Sequence, residues 1–342
     1  MFDRLADAFG WLQQTLFESV VQPLVYALGL GGWAEDAFDG TGWLLVGLLQ
    51  IAVMLAVIGP LQRWRPVEPV RDRQAIRTDI LYTLIHRLGL FRLGLFLLVD
   101  PLFDALLGAL RSAGWGTLHL DQLWPGVTDI AWVSLLMYLV VLDFVEYLIH
   151  RGQHRWQWWW SLHALHHSQR QMTMWSDNRN HLLDDLLHDA IIVLVAQLIG
   201  VAPGQFIAVV ALTQLSESLQ HANLRLGFGR WGERLWVSPA FHRTHHAIGL
   251  GHERAVTPAP AGASVPAGAG PAPAAARLGG CNFGVLLPWW DQLFGSADFS
   301  GRYPDTGIRD QVEPDAQGRV RDYGRGFWGQ QWLGLCRLVG RR

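Results

Sequence analysis

Apolar side chains in this chain gather into long runs, with neither a strand pattern nor an internal repeat. From Trp43 to Gly59 the sequence is almost wholly apolar, Pro60 follows, and Arg63, Arg65, Arg71, Arg73 and Arg77 come next. That predicts a first transmembrane helix over 43–59, ended by Pro60. A second apolar stretch, 80–110, has His86, Arg87 and Arg92 near its start and Pro101 inside it; it predicts the return crossing, with blurred ends. Ile130 to Ile149 predicts a third span, polar only at Asp143 and Glu146, that delivers His150, Arg151, His154 and Arg155 to the interface. Leu186 to Gly200 and Phe206 to Leu219 are each short for a crossing and flank Pro203 and Gly204. They predict a hairpin that enters and leaves by one face and returns His221 to the other histidines. The fold class expected is therefore all-α, a polytopic membrane protein with about four transmembrane or re-entrant segments under a histidine-rich cap.

The pattern divides the chain into an amphipathic or interfacial segment at 1–42, the first membrane helices and loops at 43–129, and a histidine-bearing domain at 130–250. A segment at 251–279, nearly all Ala, Pro, Gly, Val and Ser from Ala255 to Ala276, has too little side chain to bury and is expected to be disordered. The histidine-bearing domain is expected to close at 280–300, and 301–342 reads as an amphipathic tail around Phe327, Trp328, Trp332, Leu333 and Leu335. Trp156, Trp158, Trp159 and Trp160 suit either the headgroup level of a bilayer or a protein core.

Composition sharpens this picture. Apolar residues are 50% and charged ones 16% of 342 residues, against about 25% charged in soluble domains. A net charge of -2 without a basic, aromatic-interleaved run excludes nucleic acid as a partner. The arginine-rich loop after the first span, with more acid than base in 1–42 and in the 100–129 loop, places the histidine face on the cytoplasmic side. Asp3, Asp7 and Glu18 without a cationic stretch do not read as a cleaved signal peptide. Cys281 and Cys336 are the only cysteines, so any metal must be held by nitrogen and oxygen.

Candidate chemistry lies in the 14 histidines, most of them clustered. The clusters are His150-x3-His154, His163-x2-His166-His167 and His242-x2-His245-His246, with His181 and His221 between them. One H-x-x-H-H arises by chance in about one such chain in forty, and two in well under one in a thousand. Positions i, i+3 and i+4 share a helix face, so each cluster can direct two or three imidazoles to one point. Eight or nine converging imidazoles exceed the needs of one zinc, so two metals are implied, with imidazole alone not choosing among iron, zinc, copper and nickel. Asp143 and Glu146 precede His150 on its helix and are expected to orient a ligand imidazole, as is Asp184 beyond His181. His86, His119, His188 and His252 read as ordinary hydrogen-bonded core histidines.

These residues carry a resemblance. D-F-V-E-Y-L-I-H-R-G-Q-H (Asp143 to His154), L-H-A-L-H-H-S (Leu162 to Ser168), N-R-N-H (Asn178 to His181), Q-H-A-N (Gln220 to Asn223) and P-A-F-H-R-T-H-H (Pro239 to His246) stand in the order of the fatty acid hydroxylase or sterol desaturase superfamily. N-F-G (Asn282 to Gly284) and W-D-Q-L-F-G-S (Trp290 to Ser296) look like that family's closing elements; the Ala/Pro-rich insert before them departs from it. The resemblance implies metal ligands at His150, His154, His163, His166, His167, His242, His245 and His246, with His181 and His221 added. It implies two iron ions, zinc being an alternative occupant, and O2-dependent hydroxylation of a lipid drawn from the bilayer, with electrons from a separate carrier protein and its reductase. Desaturation on the same centre, a metal-handling membrane protein and a redox-silent relative holding structural zinc are the competing readings.

Overall fold

The computed structural model describes residues 2–254 and 277–340, so most of the expected disordered insert lies outside the described residues. Helices α1 (Phe2–Leu16) and α2 (Gln22–Ala27) fold back on α3 (Ala34–Val53). Gln13 Nε2 donates to Phe38 O at 2.9 Å and Phe17 meets Phe38 edge-on. α3 continues through a widened turn, Met54–Ile58, into α4 (Gly59–Trp64). Pro60 therefore does not end the first apolar helix, as the sequence suggested. The wide turn shifts the hydrogen-bond ladder just before the proline, so its missing N–H falls in the first turn of α4, where it breaks no helical bond.

The stretch expected as the return crossing is broken into three helices, α5 (Arg73–Arg87), α6 (Leu90–Leu98) and α7 (Asp100–Ser112). Asp72 caps α5 by accepting from Ala75 N, and Gly89, at φ 79°, takes the left-handed turn that separates α5 from α6. Among the described residues two helices are long and apolar enough to cross a membrane: Gly31–Trp64, and α8 (Ala131–Gln153).

After α8 come α9 (Gln157–His167), α10 (Leu182–Leu198) and α11 (Pro203–Gln220), whose proline sits in its first turn as P-G at the hairpin predicts. α12 (Gly229–Gly232) and α13 (Pro239–His245) follow; Ser238 caps α13 by accepting from Phe241 N at 3.1 Å. A two-residue antiparallel pairing joins Glu253 to Leu278 and Arg254 to Arg277, bringing together the ends of the undescribed segment. α14 (Trp289–Phe294) and α15 (Gly326–Leu338) complete the chain.

The core that positions the site lies where α8 meets α10 and α11: Leu139, Leu142, Ala196 and Val209 pack with Leu286 and Leu287 of the closing segment. α15 packs on α9 and α5. α3 and α5 cross so closely that a Cβ on Gly47 would fall 1.6 Å from the carbonyl oxygen of Arg87, a contact only glycine permits.

Candidate metal centre

Histidines from α8, α9, α11 and α13 converge on two adjacent points. His150, His154, His163, His167 and His245 have ring nitrogens within 4.8 Å of one another, and so do His166, His221, His242 and His246. All nine are buried. Each H-x-x-H-H string is divided between the two groups. On α9 the i, i+4 pair His163 and His167 joins the first group and His166 the second; on α13 the pair His242 and His246 joins the second and His245 the first. A step of one residue turns a helical side chain by about 100°. The adjacent histidines of each H-H therefore face different centres, and the two groups share a wall in which His167 stacks on His246 at 4.4 Å between ring centroids.

In the second group Nε2 of His221 lies 3.2 Å from Nε2 of His166 and 3.1 Å from Nε2 of His242, which is 3.1 Å from Nε2 of His246. Nitrogens bound to one ion at about 2.1 Å would lie roughly 3.0–3.4 Å apart, so the spacing fits a shared metal. In the first group both nitrogens of His154 and His167, and Nε2 of His163 and His245, are buried without a hydrogen-bond partner. Such orphaned atoms are costly unless something binds them. An all-imidazole donor set of five and four suits a first-row transition metal at each point.

In four of the nine histidines the opposite nitrogen is held. His150 Nδ1 donates to Phe283 O at 2.8 Å, His245 Nδ1 to Cys281 O at 2.7 Å, His221 Nδ1 to Glu217 O at 2.9 Å and His163 Nδ1 to Asp184 Oδ2 at 3.0 Å. Each such bond fixes a tautomer that leaves Nε2 free for a metal. Burial, and then repulsion from neighbouring imidazoles, holds His166, His167, His242 and His246 well below the usual histidine range, and burial lowers His245 to about 3. They are neutral at physiological pH, the form that ligates.

Three expected site residues stand elsewhere. His181 joins neither group: it precedes α10, where Nδ1 accepts from Leu183 N at 3.1 Å and Nε2 donates to Gln331 O at 2.9 Å. Both nitrogens are thus engaged, and the ring lies against Gly334 of α15. Asp143 orients no imidazole; its carboxylate accepts from Leu286 N at 2.8 Å, Leu287 N at 3.2 Å and Trp290 Nε1 at 2.8 Å. Glu146 pairs with His188 instead of a histidine of either group, because Phe283 O already occupies Nδ1 of His150. Asp184 also accepts from Gln153 Nε2 at 2.9 Å and Trp159 Nε1 at 2.6 Å. Of the histidines read as ordinary, His86 faces Asp185 at 3.3 Å, His119 lies near Asp121, and His252 is buried flat against Trp160.

The closing motifs acquire a physical purpose that residue types alone did not reveal. Asp291 accepts from Phe283 N, Gly284 N and Ser296 Oγ, and Asn282, at φ 59°, donates to Phe241 O. A Cβ on Gly284 would come within 2.8 Å of Leu287 O. N-F-G and W-D-Q-L-F-G-S thereby form one cradle that presents the carbonyls of Cys281 and Phe283 to His245 and His150. The motif match marked the place; main-chain acceptors carry no residue-type signal. A cavity of about 160 Å³ between α5, α8, α10 and α11 is lined by His150 and His163 of one group and His166, His221 and His242 of the other.

Comparison with known proteins agrees with this arrangement. The fatty acid hydroxylase family profile matches residues 135–257, which contain all nine grouped histidines. The ornithine lipid hydroxylase OlsE of Rhizobium tropici is 24% identical over 292 residues, covering 85% of this chain and 78% of that protein. No solved structure matches the chain. Residues 135–257 are thus similar to the fatty acid hydroxylase family, with its histidine strings in order and folded into two adjoining imidazole groups.

Proposed function

We propose that this protein is a membrane-bound di-iron oxygenase that hydroxylates a C–H bond of a lipid, using O2 and electrons from a separate carrier protein and its reductase. The observation that carries this reading is the pair of all-imidazole groups sharing a wall beside one cavity. Two irons bound there would supply the activation of O2 that breaking an unactivated C–H bond requires. The first iron would be held by His150, His154, His163, His167 and His245, the second by His166, His221, His242 and His246.

The chain's own residues do the rest. Asp184 and the carbonyls of Phe283, Cys281 and Glu217 hold four imidazoles by their Nδ1–H and aim Nε2 inward. The buried rings exclude bulk water from the reacting space, which protects an oxidising centre from side reactions. Ile192, Val193, Phe206, Val209 and Val210 give the cavity an apolar wall suited to a lipid.

An integral, multi-pass placement with the histidine cap on the cytoplasmic side is supported by apolar residues that face outward from α3 and α8, among them Leu49 at 62% and Trp132 at 65% exposure. A soluble core helix would bury them. The arginines after α4 supply the orientation. The relative named for ornithine lipid suggests an amino-acid lipid as substrate.

The test is metal content per chain after anaerobic reconstitution with ferrous iron, then one O2 exposure with an electron donor and extracted lipids. About two irons per chain and a lipid product heavier by one oxygen atom are expected. Zinc that iron cannot displace, or no product containing oxygen from O2, would overturn the reading; a product lighter by two hydrogens would assign desaturation.

A further inference from the structure

The cavity beside the two histidine groups carries more charge than a tunnel for hydrocarbon requires: seven carboxylates and two guanidiniums line it. Six of the carboxylates are answered from within the fold. Asp177 pairs with Arg87 at 2.8 Å, Asp185 faces His86, and Glu146 and Asp189 share His188 from its two sides. Asp184 takes the His163 N–H, and Asp143 the amides of Leu286 and Leu287. The second guanidinium, Arg92, lies 3.5 Å over the ring of Trp43.

The seventh carboxylate is Glu217, one turn before His221 on α11. Among the described residues its side chain has neither a hydrogen bond nor an ion pair, although it lines the cavity. Three residues further along, Gln220 is 1% exposed; its Nε2 donates to Val285 O and Ser216 Oγ, and its Oε1 has no partner. Asp177 leaves one oxygen unpartnered as well. The last turn of α11 thus offers a lone carboxylate and an unused amide oxygen directly beside a ligand histidine. Burial and the neighbouring carboxylates of Glu146 and Asp177 favour the protonated form of this side chain, and a cation seated beside it lets it ionise. A primary ammonium brings one positive charge and three N–H donors, which matches one carboxylate and neutral acceptors. A phosphate-bearing headgroup would meet like charge.

We propose that Glu217 anchors a primary ammonium of the lipid substrate's headgroup, with Gln220 Oε1 as its second acceptor, and so selects amine-bearing lipids and holds the headgroup against the metal centre. This rests on the lipid-hydroxylase reading and names the substrate class of the same site.

Binding to the full-length, metal-free protein in detergent tests it, with a short-chain lipid bearing an ornithine headgroup and the same lipid with its free amine acetylated as probes. The wild type is expected to prefer the free amine by roughly 30-fold or more. Glu217→Gln should abolish that preference by weakening the amine-bearing lipid alone, with the thermal midpoint unchanged. A preference that survives Glu217→Gln, or equal weakening of both lipids, would overturn the anchor and leave Glu217 a structural role. Turnover by the iron-loaded wild type separates the two readings: preference without turnover keeps the anchor and sinks the hydroxylase, and turnover without preference does the reverse.

Discussion

Asp184 holds His163 of the first histidine group through a single carboxylate, and replacing it with asparagine changes almost nothing but charge and one acceptor. In the protein, Oδ1 accepts from Gln153 Nε2 at 2.9 Å and Trp159 Nε1 at 2.6 Å, while Oδ2 accepts from His163 Nδ1 at 3.0 Å; the residue is 2% exposed. Three donors therefore converge on two oxygens. An asparagine has one oxygen, so in either orientation its NH2 must face a donor. Turned toward His163, it repels the ring N–H; turned the other way, it meets both Gln153 and Trp159. A lost charge-assisted hydrogen bond costs about 1.5–3 kcal/mol and a buried donor left facing another donor about 1–3 kcal/mol more. Asp184→Asn should then destabilise the fold by roughly 3–6 kcal/mol. Because the ring that carries Nε2 is no longer held, affinity at the first group should fall on the order of 10–100-fold. The assay is an anaerobic ferrous titration against a competing chelator, resolved into two binding steps, with a thermal melt of the metal-free protein alongside. Only one step should weaken. Affinity within about threefold of wild type at both steps and an unchanged melt would refute the reasoning and leave His163 oriented by the packing of α9 alone.

Adjacent histidines should report different sites: His245→Ala should impair the five-histidine group and His246→Ala the four-histidine group, read as loss of one or the other step in the same titration. His181→Ala should leave both steps intact and lower the thermal midpoint, since its ring bridges the start of α10 to Gln331. Gly47→Ala should destabilise by roughly 3 kcal/mol or more, because its methyl would collide with main chain at the α3–α5 crossing, and chemical denaturation would show it. The metal-free protein should lose stability as pH falls below about 6.5. Folded His245 stays neutral down to about 3, so between those values the unfolded chain binds the extra proton, and each such histidine removes up to about 1.4 kcal/mol per pH unit. Melts at pH 7.5 and 5.5 would check it, and equal midpoints would contradict the burial of the rings.

Much of this protein is determined by the chain read as a string. The apolar runs mark the cores of the long helices, the P-G pair marks the turn before α11, and three histidine strings mark which residues gather at the centre, because helical periodicity and turn chemistry are local. The sequence also marked the closing N-F-G and W-D-Q-L-F-G-S elements and Asp184 as an orienting carboxylate, but beside His181, whereas the fold brings it to His163.

Tertiary structure alone decided how the histidines are shared. Periodicity places His163, His166 and His167 on one side of α9, but only the meeting of these rings with those of His245 and His246 sends the α9 pair to the first centre, the pair His242 and His246 to the second, and each intervening histidine to the other. It likewise decided that His181 ends in a helix cap, that Asp143 clamps the closing segment and that Glu146 meets His188. Apart from Leu183, beside His181, those partners arrive from segments distant in sequence, and several are main-chain groups with no residue-type signal. The break of 80–110 into three helices and the passage of α3–α4 through Pro60 depend on a left-handed glycine and a widened turn. Such backbone choices are settled by packing across helices, where a residue's own preference is the smaller energy.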